Sequence, residues 1–189
     1  MRDDLSALLR SRSGHFEFES GHHGSLWIDL EALFLNPAAA RPLVRELAEE
    51  LRTYDVDVVC GPLVEGAFVG LLVSLELGVD FVYANREFDP VRYRIPDPLR
   101  ALAGRRVAVV NDVINAGAAV RGTLDDLDAC SAEVVALASL LVLGDSALEI
   151  ARERSIPLLS LANEPSDLWA PVECPLCAGG EPLIRHPGY

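Results

Sequence analysis

The stretch VAVVNDVINAGAAVRGT, residues 107–123, decides the fold. Four apolar residues lead through Asn111 and Asp112 into a turn of small residues, 115–119, and then into a segment of helical character. Small residues let the backbone approach a ligand closely, and a helix that starts here would direct unpaired amides and its positive dipole end at an anion. On spacing alone two interpretations stay open: an anion-binding turn, and an ordinary strand-to-helix turn capped by Asn or Asp.

The segments around this stretch alternate between strand and helix patterns. Strands are predicted at 56–60, 79–84, 106–111, 133–143 and 156–162, and helices at 67–77, 117–130 and 145–154. Alternation of this kind predicts an α/β fold, a doubly wound and mostly parallel sheet with helices on its faces. Ligands of such sheets bind beyond the carboxyl ends of the strands, so the turns after 56–60 and 106–111 are the expected site.

The flanking regions complete the predicted organisation, a single domain over 1–189. An N-terminal segment, 1–35, combines a short amphipathic helix over 1–12 with two strand-like runs, near Phe16 and over 26–30. The α/β core, 36–162, opens with a helix from Asn36 to Thr53. The tail, 163–189, contains five prolines and is predicted to be irregular.

Composition narrows the class of protein. The chain of 189 residues has a formal net charge of -13, and all 16 of its basic residues are arginine. So acidic a chain is poorly supplied to build the basic face of a general nucleic-acid binder. No apolar run approaches the roughly 20 residues that span a bilayer, and the first residues lack a secretory signal, so we expect a cytoplasmic protein that binds no membrane.

The sequence CPLCAGG, residues 174–180, has the spacing of a zinc knuckle. Structural zinc normally takes four ligands, and only Cys174 and Cys177 form such a pair. The other two ligands would come from a second subunit or from the histidines of the chain, which are His15, His22, His23 and His186. Two reduced structural thiols, or a redox pair, remain the alternatives.

Four segments together resemble the type I phosphoribosyltransferases, and among these the orotate phosphoribosyltransferases and their close homologues. Residues 107–123 resemble the motif that binds phosphoribosyl pyrophosphate (PRPP), and 14–31 resemble the base-binding hood. Residues 60–70 resemble the pyrophosphate loop, and 85–103 stand where the family has a mobile catalytic loop. The resemblance covers roughly residues 14–162 and implies the fold of that family.

The resemblance also implies a reaction and a set of site residues. Ribose 5-phosphate would pass from PRPP to a base nitrogen, with Mg²⁺ on the pyrophosphate and ribose hydroxyls, in a homodimer. Asn111 and Asp112 would face the ribose hydroxyls as the catalytic pair. The implied 5-phosphate loop is Asn115, Ala116, Gly117, Ala118 and Ala119; the pyrophosphate loop is Gly61, Pro62, Leu63, Val64, Glu65 and Gly66; the base-binding residues are Ser20, Gly21, His22 and Ser25.

The chain departs from the family pattern where charge matters most. The family has two adjacent acids where this chain has Asn111 and Asp112, and it has lysines where this chain has Glu19 and Glu65. At about 4 Å and an effective dielectric near 20, one such charge pair is worth up to roughly 4 kcal/mol. Arg86, Arg92 and Arg94 of the 85–103 segment are candidate substitutes, since arginine binds phosphate; the alternative is that they are solvated surface residues.

The acceptor base and the activity therefore stay open. The run LLVLGDSA, residues 140–147, offers no cation for the carboxylate of orotate, so we expect another base. His22, His23 and Trp27 either border that base or serve packing. A non-catalytic relative that binds a nucleotide or ribose phosphate as a sensor or regulator is the alternative function, and hydrolysis or phosphorolysis of a nucleotide is a third.

Overall fold

The computed structural model of the chain describes residues 5, 9–18, 20–29, 31–88 and 91–185. Its strands are β1 (Arg10–Glu17), β2 (His23–Asp29), β3 (Val58–Pro62), β4 (Asp80–Phe88), β5 (Val91–Arg94), β6 (Arg106–Ile114), β7 (Glu133–Leu143) and β8 (Leu158–Glu164). Its helices are α1 (Glu31–Leu35), α2 (Pro37–Leu51), α3 (Glu65–Leu77), α4 (Ala118–Ala129), α5 (Ser146–Arg154) and α6 (Pro175–Ala178), with 3₁₀ turns at 52–54, 97–99 and 171–173.

A six-stranded sheet in the order β5-β4-β3-β6-β7-β8 forms the centre of the molecule. Its strands run parallel except for β5, which pairs antiparallel with β4. Strands β1 and β2 form a separate antiparallel hairpin, the N-terminal hairpin. The predicted α/β fold with a small N-terminal hood is confirmed. The division into one domain with three segments stays a prediction.

Apolar residues fill both faces of the sheet because neighbouring strand residues point to opposite sides. Val59 packs with α2 and α3 on one face, while Val58 and Cys60 pack with α4 and α5 on the other. Helix α2 was predictable from the sequence because its buried residues recur at the spacing of one helical face. These residues are Ala40, Leu43, Val44, Leu47, Ala48 and Leu51. Among the described residues, no helix is long and apolar enough to cross a membrane.

The N-terminal helix predicted over 1–12 is wrong at its end. Residues 10–12 belong to β1, where Arg10 pairs with Asp29 and Arg12 with Trp27, because pairing with β2 satisfies their backbone groups better than a last helical turn. Leu5 and Leu9 are buried and joined by a 2.9 Å backbone bond of helical type. The remainder of the predicted helix lies outside the described residues.

The tail is more ordered than its prolines predicted. The amide of Ile184 donates to the carbonyl of His15 at 2.8 Å, and that of Glu17 donates to the carbonyl of Ile184 at 3.1 Å. His23 and Trp169 exchange two backbone bonds of 2.8 Å. Both ends of the described chain therefore meet at the N-terminal hairpin.

Candidate active site

The turn between β6 and α4 is built as an anion-binding turn requires. Gly117 has φ +78°, and a Cβ there would collide with Cδ1 of Ile150, so glycine is needed for both conformation and space. Gly117, the residue before α4, has no side chain that could cap the helix. The amides of the first turn are thus available to an anion, with the helix dipole behind them.

A cavity of about 200 Å³ adjoins this turn. Its lining joins the predicted phosphate loop to the N-terminal hairpin and consists of Phe18, Ser20, Trp27, Asn111, Val113, Ile114, Asn115, Ala116, Gly117, Ala118, Ala119 and Val120. The rings of Phe18 and Trp27 stack at 10° with centroids 6.2 Å apart. One end of the cavity therefore presents backbone amides and the other a flat aromatic wall.

The predicted pyrophosphate loop packs directly on Asn111. Gly61 and Pro62 end β3, and Glu65 begins α3. A Cβ at Gly66 would collide with Oδ1 of Asn111, whose Nδ2 donates to the carbonyl of Val113 at 2.9 Å. The predicted ribose and pyrophosphate residues thus lie side by side, at the ends of the paired strands β3 and β6.

Asp112 is buried, and the cavity lining described above includes its neighbours Asn111 and Val113 but not Asp112 itself. Burial raises the pKa of its carboxyl to about 7; the charge of Glu65 acts in the same direction, and backbone amide hydrogen bonds oppose the shift. The backbone at this point is fixed by Ser139, whose Oγ lies 2.9 Å from the Asp112 carbonyl. The two acidic residues of the site therefore repel each other unless a proton or a cation lies near them.

The predicted catalytic loop is a hairpin at the end of β4. Asn85 pairs with Arg94 and Arg86 with Tyr93. Arg94 donates to Asp97 at 2.7 Å and Arg92 bonds to Glu87, both at the surface. Two of the three candidate substitutes for lysine therefore hold carboxylates of the protein in this conformation; the third, Arg86, is half-buried.

The predicted base-binding residues divide between two cavities. Ser20 lines the 200 Å³ cavity, and its Oγ lies 3.2 Å from Nδ1 of His22. Ser25 instead donates to Asp167 at 3.2 Å and lines a cavity of about 520 Å³ between the N-terminal hairpin and the tail. Gly21, with φ +76°, forms the turn between the strands. Glu19 lies outside the described residues.

The tail brings Cys174 and Cys177 to the two buried histidines of the hairpin, His15 and His23. These two histidines were among the four that the sequence named, but nothing in the sequence selected them. His186 lies outside the described residues. The sequence also missed Phe18 as a wall of the smaller cavity; its signal was the alternation of Phe16 and Phe18 with charged residues, which places an aromatic at every second position.

Comparison with known proteins identifies the family. The orotate phosphoribosyltransferase of Thermotoga petrophila is 31% identical over 172 residues, which cover 91% of this chain and 89% of the relative. That of Caldanaerobacter subterraneus is 29% identical over 172 residues, covering 91% and 87%. No family model matches the chain.

Solved structures agree with the fold. An adenine phosphoribosyltransferase from Thermoanaerobacter pseudethanolicus superposes with a TM-score of 0.69 at 18% identity, covering 86% of this chain and 99% of that one. An orotate phosphoribosyltransferase from Aeropyrum pernix gives 0.65 at 23% identity, covering 81% and 87%. The 31% identity along 91% of its length places the chain in a known group: it belongs to the orotate phosphoribosyltransferase family, with the fold of the type I phosphoribosyltransferases.

Proposed function

We propose that this protein transfers ribose 5-phosphate from PRPP to a nucleobase and releases pyrophosphate. One observation carries the proposal: the 200 Å³ cavity that joins the glycine turn at the start of α4 to the stacked rings of Phe18 and Trp27. A phosphate bound by amides at one end and a base stacked at the other would place the ribose beside Asn111. Membership of the family supports the same reaction.

Each part of the site has a task in this reaction. The loop 115–119 holds the 5-phosphate through backbone amides, and Asn111 and Asp112 orient the ribose, with Asn111 at the cavity surface. The loop 61–66 receives the pyrophosphate at the N-terminus of α3. Because charge develops on the ribose carbon and on the leaving group, catalysis depends mainly on orientation and on electrostatic stabilisation.

The residues present fit a magnesium ion. Hard divalent cations prefer oxygen ligands. The carboxylate of Glu65 interacts electrostatically with that of Asp112, and the amide oxygen of Asn111 lies against Gly66 of the same loop. Burial is the main cause of the raised pKa of Asp112, and the nearby negative charge of Glu65 raises it further. Mg²⁺ bound with PRPP would supply the missing positive charge, so Glu65 would face a cation where the family has a lysine facing the phosphate.

We propose an acceptor base without a carboxylate. The aromatic wall and Ser20 offer stacking and a hydroxyl group, and the described lining of the cavity contains no arginine. The residues after β7, Gly144 and Asp145, likewise bring no cation to this edge of the sheet. A neutral base would therefore leave fewer charges unpaired than orotate would.

A specific observation favours a second candidate, a non-catalytic binder of nucleotides. Glu65 lies in the pyrophosphate loop, while Arg92 and Arg94 bond to Glu87 and Asp97. A site of this charge would bind a nucleoside monophosphate with less repulsion than it would bind PRPP.

The proposal includes a homodimer in the cytoplasm. Exposed apolar residues recur on one side of α3 and the turn before it, at Val64, Phe68, Leu71 and Leu75, with exposures of 52%, 44%, 50% and 76%. The spacing is that of a single helical stripe. A second copy of the chain is the occupant that the family membership supports.

The test is turnover of Mg-PRPP with a panel of bases, orotate included, with pyrophosphate release and nucleotide formation measured together. We expect both products with at least one neutral base and much slower turnover with orotate. Calorimetry on the same preparation separates the second candidate: binding of a nucleoside monophosphate with no heat from Mg-PRPP and no turnover would replace the transferase by the binder.

A further inference from the structure

A cluster of four side chains lies where the tail meets the N-terminal hairpin, away from the residues that bind ribose and phosphate. His15 and His23 come from β1 and β2, and Cys174 and Cys177 come from one turn of the tail. Their ligating atoms all lie within 4.8 Å of one another. Both histidines and Cys174 are buried, and Cys177 is an exposed residue whose sulfur lies against the histidines.

The distances in the cluster are those of a tetrahedral metal site. Nε2 of His15 lies 3.1 Å from Nδ1 of His23 and 3.4 Å and 3.6 Å from the sulfurs of Cys174 and Cys177. The sulfur of Cys177 lies 3.3 Å from Nδ1 of His23. With Zn–S bonds of about 2.3 Å and Zn–N bonds of about 2.0–2.1 Å, a tetrahedral ion separates two nitrogens by roughly 3.3 Å and a nitrogen from a sulfur by roughly 3.5 Å.

The surroundings fix His15 in the form that a metal needs. Its Nδ1 lies 2.8 Å from the carbonyl oxygen of Glu181, an acceptor only, so Nδ1 carries the proton and donates it. The lone pair of the ring is then on Nε2, which faces the cluster. Histidines that bind metals commonly donate their second ring nitrogen to a carbonyl in this way.

Backbone pairing brings the ligands together independently of any ion. The carbonyl of His15 accepts from Ile184, and His23 exchanges two hydrogen bonds with Trp169. Within the tail, the Ala178 amide donates to the carbonyl of Cys174 at 3.2 Å, which closes the turn that carries both sulfurs. The chain thus converges on one point from residues separated by about 160 positions.

We propose that His15, His23, Cys174 and Cys177 bind one Zn²⁺ ion in a closed, structural site that fastens the tail to the N-terminal hairpin. Two thiolates and two imidazoles in tetrahedral array are a donor set that selects zinc. Two thiolates also balance the charge of the ion, so the buried site is neutral. Four protein ligands leave no position for a substrate, which makes the role structural.

The site acts on the hairpin that also carries Phe18 and Trp27. Phe18 lies between the two ligand strands, and its amide donates to the carbonyl of His22, next to the ligand His23, at 2.8 Å. Binding of zinc would therefore hold the aromatic wall in place. The zinc site does not depend on the reaction proposed above and would stand if the protein were a binder only.

The first experiment measures metal in the whole chain, purified without added zinc or chelator, by plasma emission. We expect one zinc per chain. X-ray absorption at the zinc edge should give two sulfurs at about 2.3 Å and two nitrogens at about 2.0–2.1 Å. Less than half an equivalent of zinc, also after incubation of the reduced protein with zinc, overturns the proposal, and so does a disulfide between Cys174 and Cys177 found by mass spectrometry under reducing purification.

Variants locate the ion. His23→Gln and Cys174→Ser should lose most of the zinc, while the matched controls His22→Gln and Cys130→Ser, which change a neighbouring histidine and a cysteine outside the cluster, should keep it. If a variant fails to fold, cobalt replaces zinc in the wild-type protein: absorption bands of tetrahedral cobalt bound to thiolate are expected. Zinc retained in His23→Gln and Cys174→Ser, or a cobalt spectrum without thiolate bands, contradicts the assignment.

Discussion

Oδ1 of Asn111 occupies the space that a Cβ at position 66 would need, so Gly66 and Asn111 join the proposed pyrophosphate loop to the end of β6. Gly66→Ala would displace Asn111 and strain its bond to the carbonyl of Val113. Because a ligand group left without its hydrogen bond in a buried site costs about 1–3 kcal/mol, we expect Mg-PRPP binding to weaken roughly tenfold or more, measured by calorimetry.

A second substitution separates the collision from other effects of Gly66→Ala. The double variant Gly66→Ala, Asn111→Ala removes the colliding oxygen, so its melting temperature should return toward that of the Asn111→Ala protein while ligand binding stays weak. If Gly66→Ala binds Mg-PRPP as the wild type does, the loop does not contact the ligand.

Asp112→Asn tests the buried carboxyl through stability. Burial raises the pKa of Asp112 to about 7, so the folded protein holds this proton up to about pH 7, whereas the unfolded chain releases it near the ordinary pKa of 3.8. The native state therefore binds more protons in this window, so this group makes stability fall as the pH rises from about 4 to about 7. Asp112→Asn should remove that decline. Above pH 7 the variant should unfold at higher urea concentrations than the wild type, and its free energy of unfolding should be larger by up to about 4 kcal/mol.

The same variant also reports on ligand binding. We expect Asp112→Asn to weaken ribose phosphate affinity roughly tenfold, as loss of a charge-assisted hydrogen bond does. Urea curves at pH 4 and pH 8 and calorimetry at pH 8 give both quantities. Parallel pH dependence in the two proteins would show that Asp112 is ionised in the folded state.

Glu65→Lys should strengthen the binding of PRPP. The substitution replaces an anion by a cation in the pyrophosphate loop, and after solvent screening we expect a gain of about 1–2 kcal/mol, or roughly tenfold in Kd. The control is Glu50→Lys, which makes the same charge change on an exposed residue at the C-terminal end of α2. Equal gains in both variants would mean that net charge, and not the loop, governs affinity.

Gly117→Ala should destabilise the protein for two separable reasons. A left-handed conformation at a residue with a Cβ costs about 1–2 kcal/mol, and the new Cβ collides with Cδ1 of Ile150. Adding Ile150→Val removes that methyl group and should recover only the second part. Urea denaturation measures both; a Gly117→Ala protein as stable as the wild type would show that the turn takes another conformation.

The apolar stripe on α3 predicts the oligomeric state. Leu71→Glu should convert a dimer to monomers in sedimentation velocity, because it places a charge among the exposed residues Phe68 and Leu75. Leu148→Glu, at a leucine 39% exposed on α5, is the control and should leave the dimer intact. A wild-type protein that sediments as a monomer at all concentrations contradicts the dimer.

The spacing of apolar residues predicted the core of the fold well, because burial of one face of a helix or strand requires that spacing. The strand predicted at 133–143 has the same bounds as β7, and its long run of buried residues is typical of a strand inside a parallel sheet. The apolar face from Leu43 to Leu51 likewise gave α2. Strand ends were less predictable: β4 continues to Phe88 because β5 pairs with it, and that pairing depends on a turn rather than on hydrophobicity.

The site was predictable in its loops but not in its side-chain partners. Gly117 marked the turn, because its left-handed conformation and the nearby Ile150 leave no room for a side chain. By contrast, Ser25 was expected near the base, yet it donates a hydrogen bond to Asp167 of the tail and lines the larger cavity. The selection of His15 and His23 for the cysteine cluster likewise depends on contacts between the two ends of the chain, which local patterns do not encode.

The junction of hairpin and tail has a consequence for synthesis. His15 meets a backbone oxygen 166 residues later, and at about 5–20 residues per second a ribosome needs roughly 10–30 s to make that much chain. The N-terminal hairpin is therefore translated well before the tail residues with which it pairs. A message cut short before residue 165 would leave the α/β core complete and the hairpin with its pairing edge open to other chains.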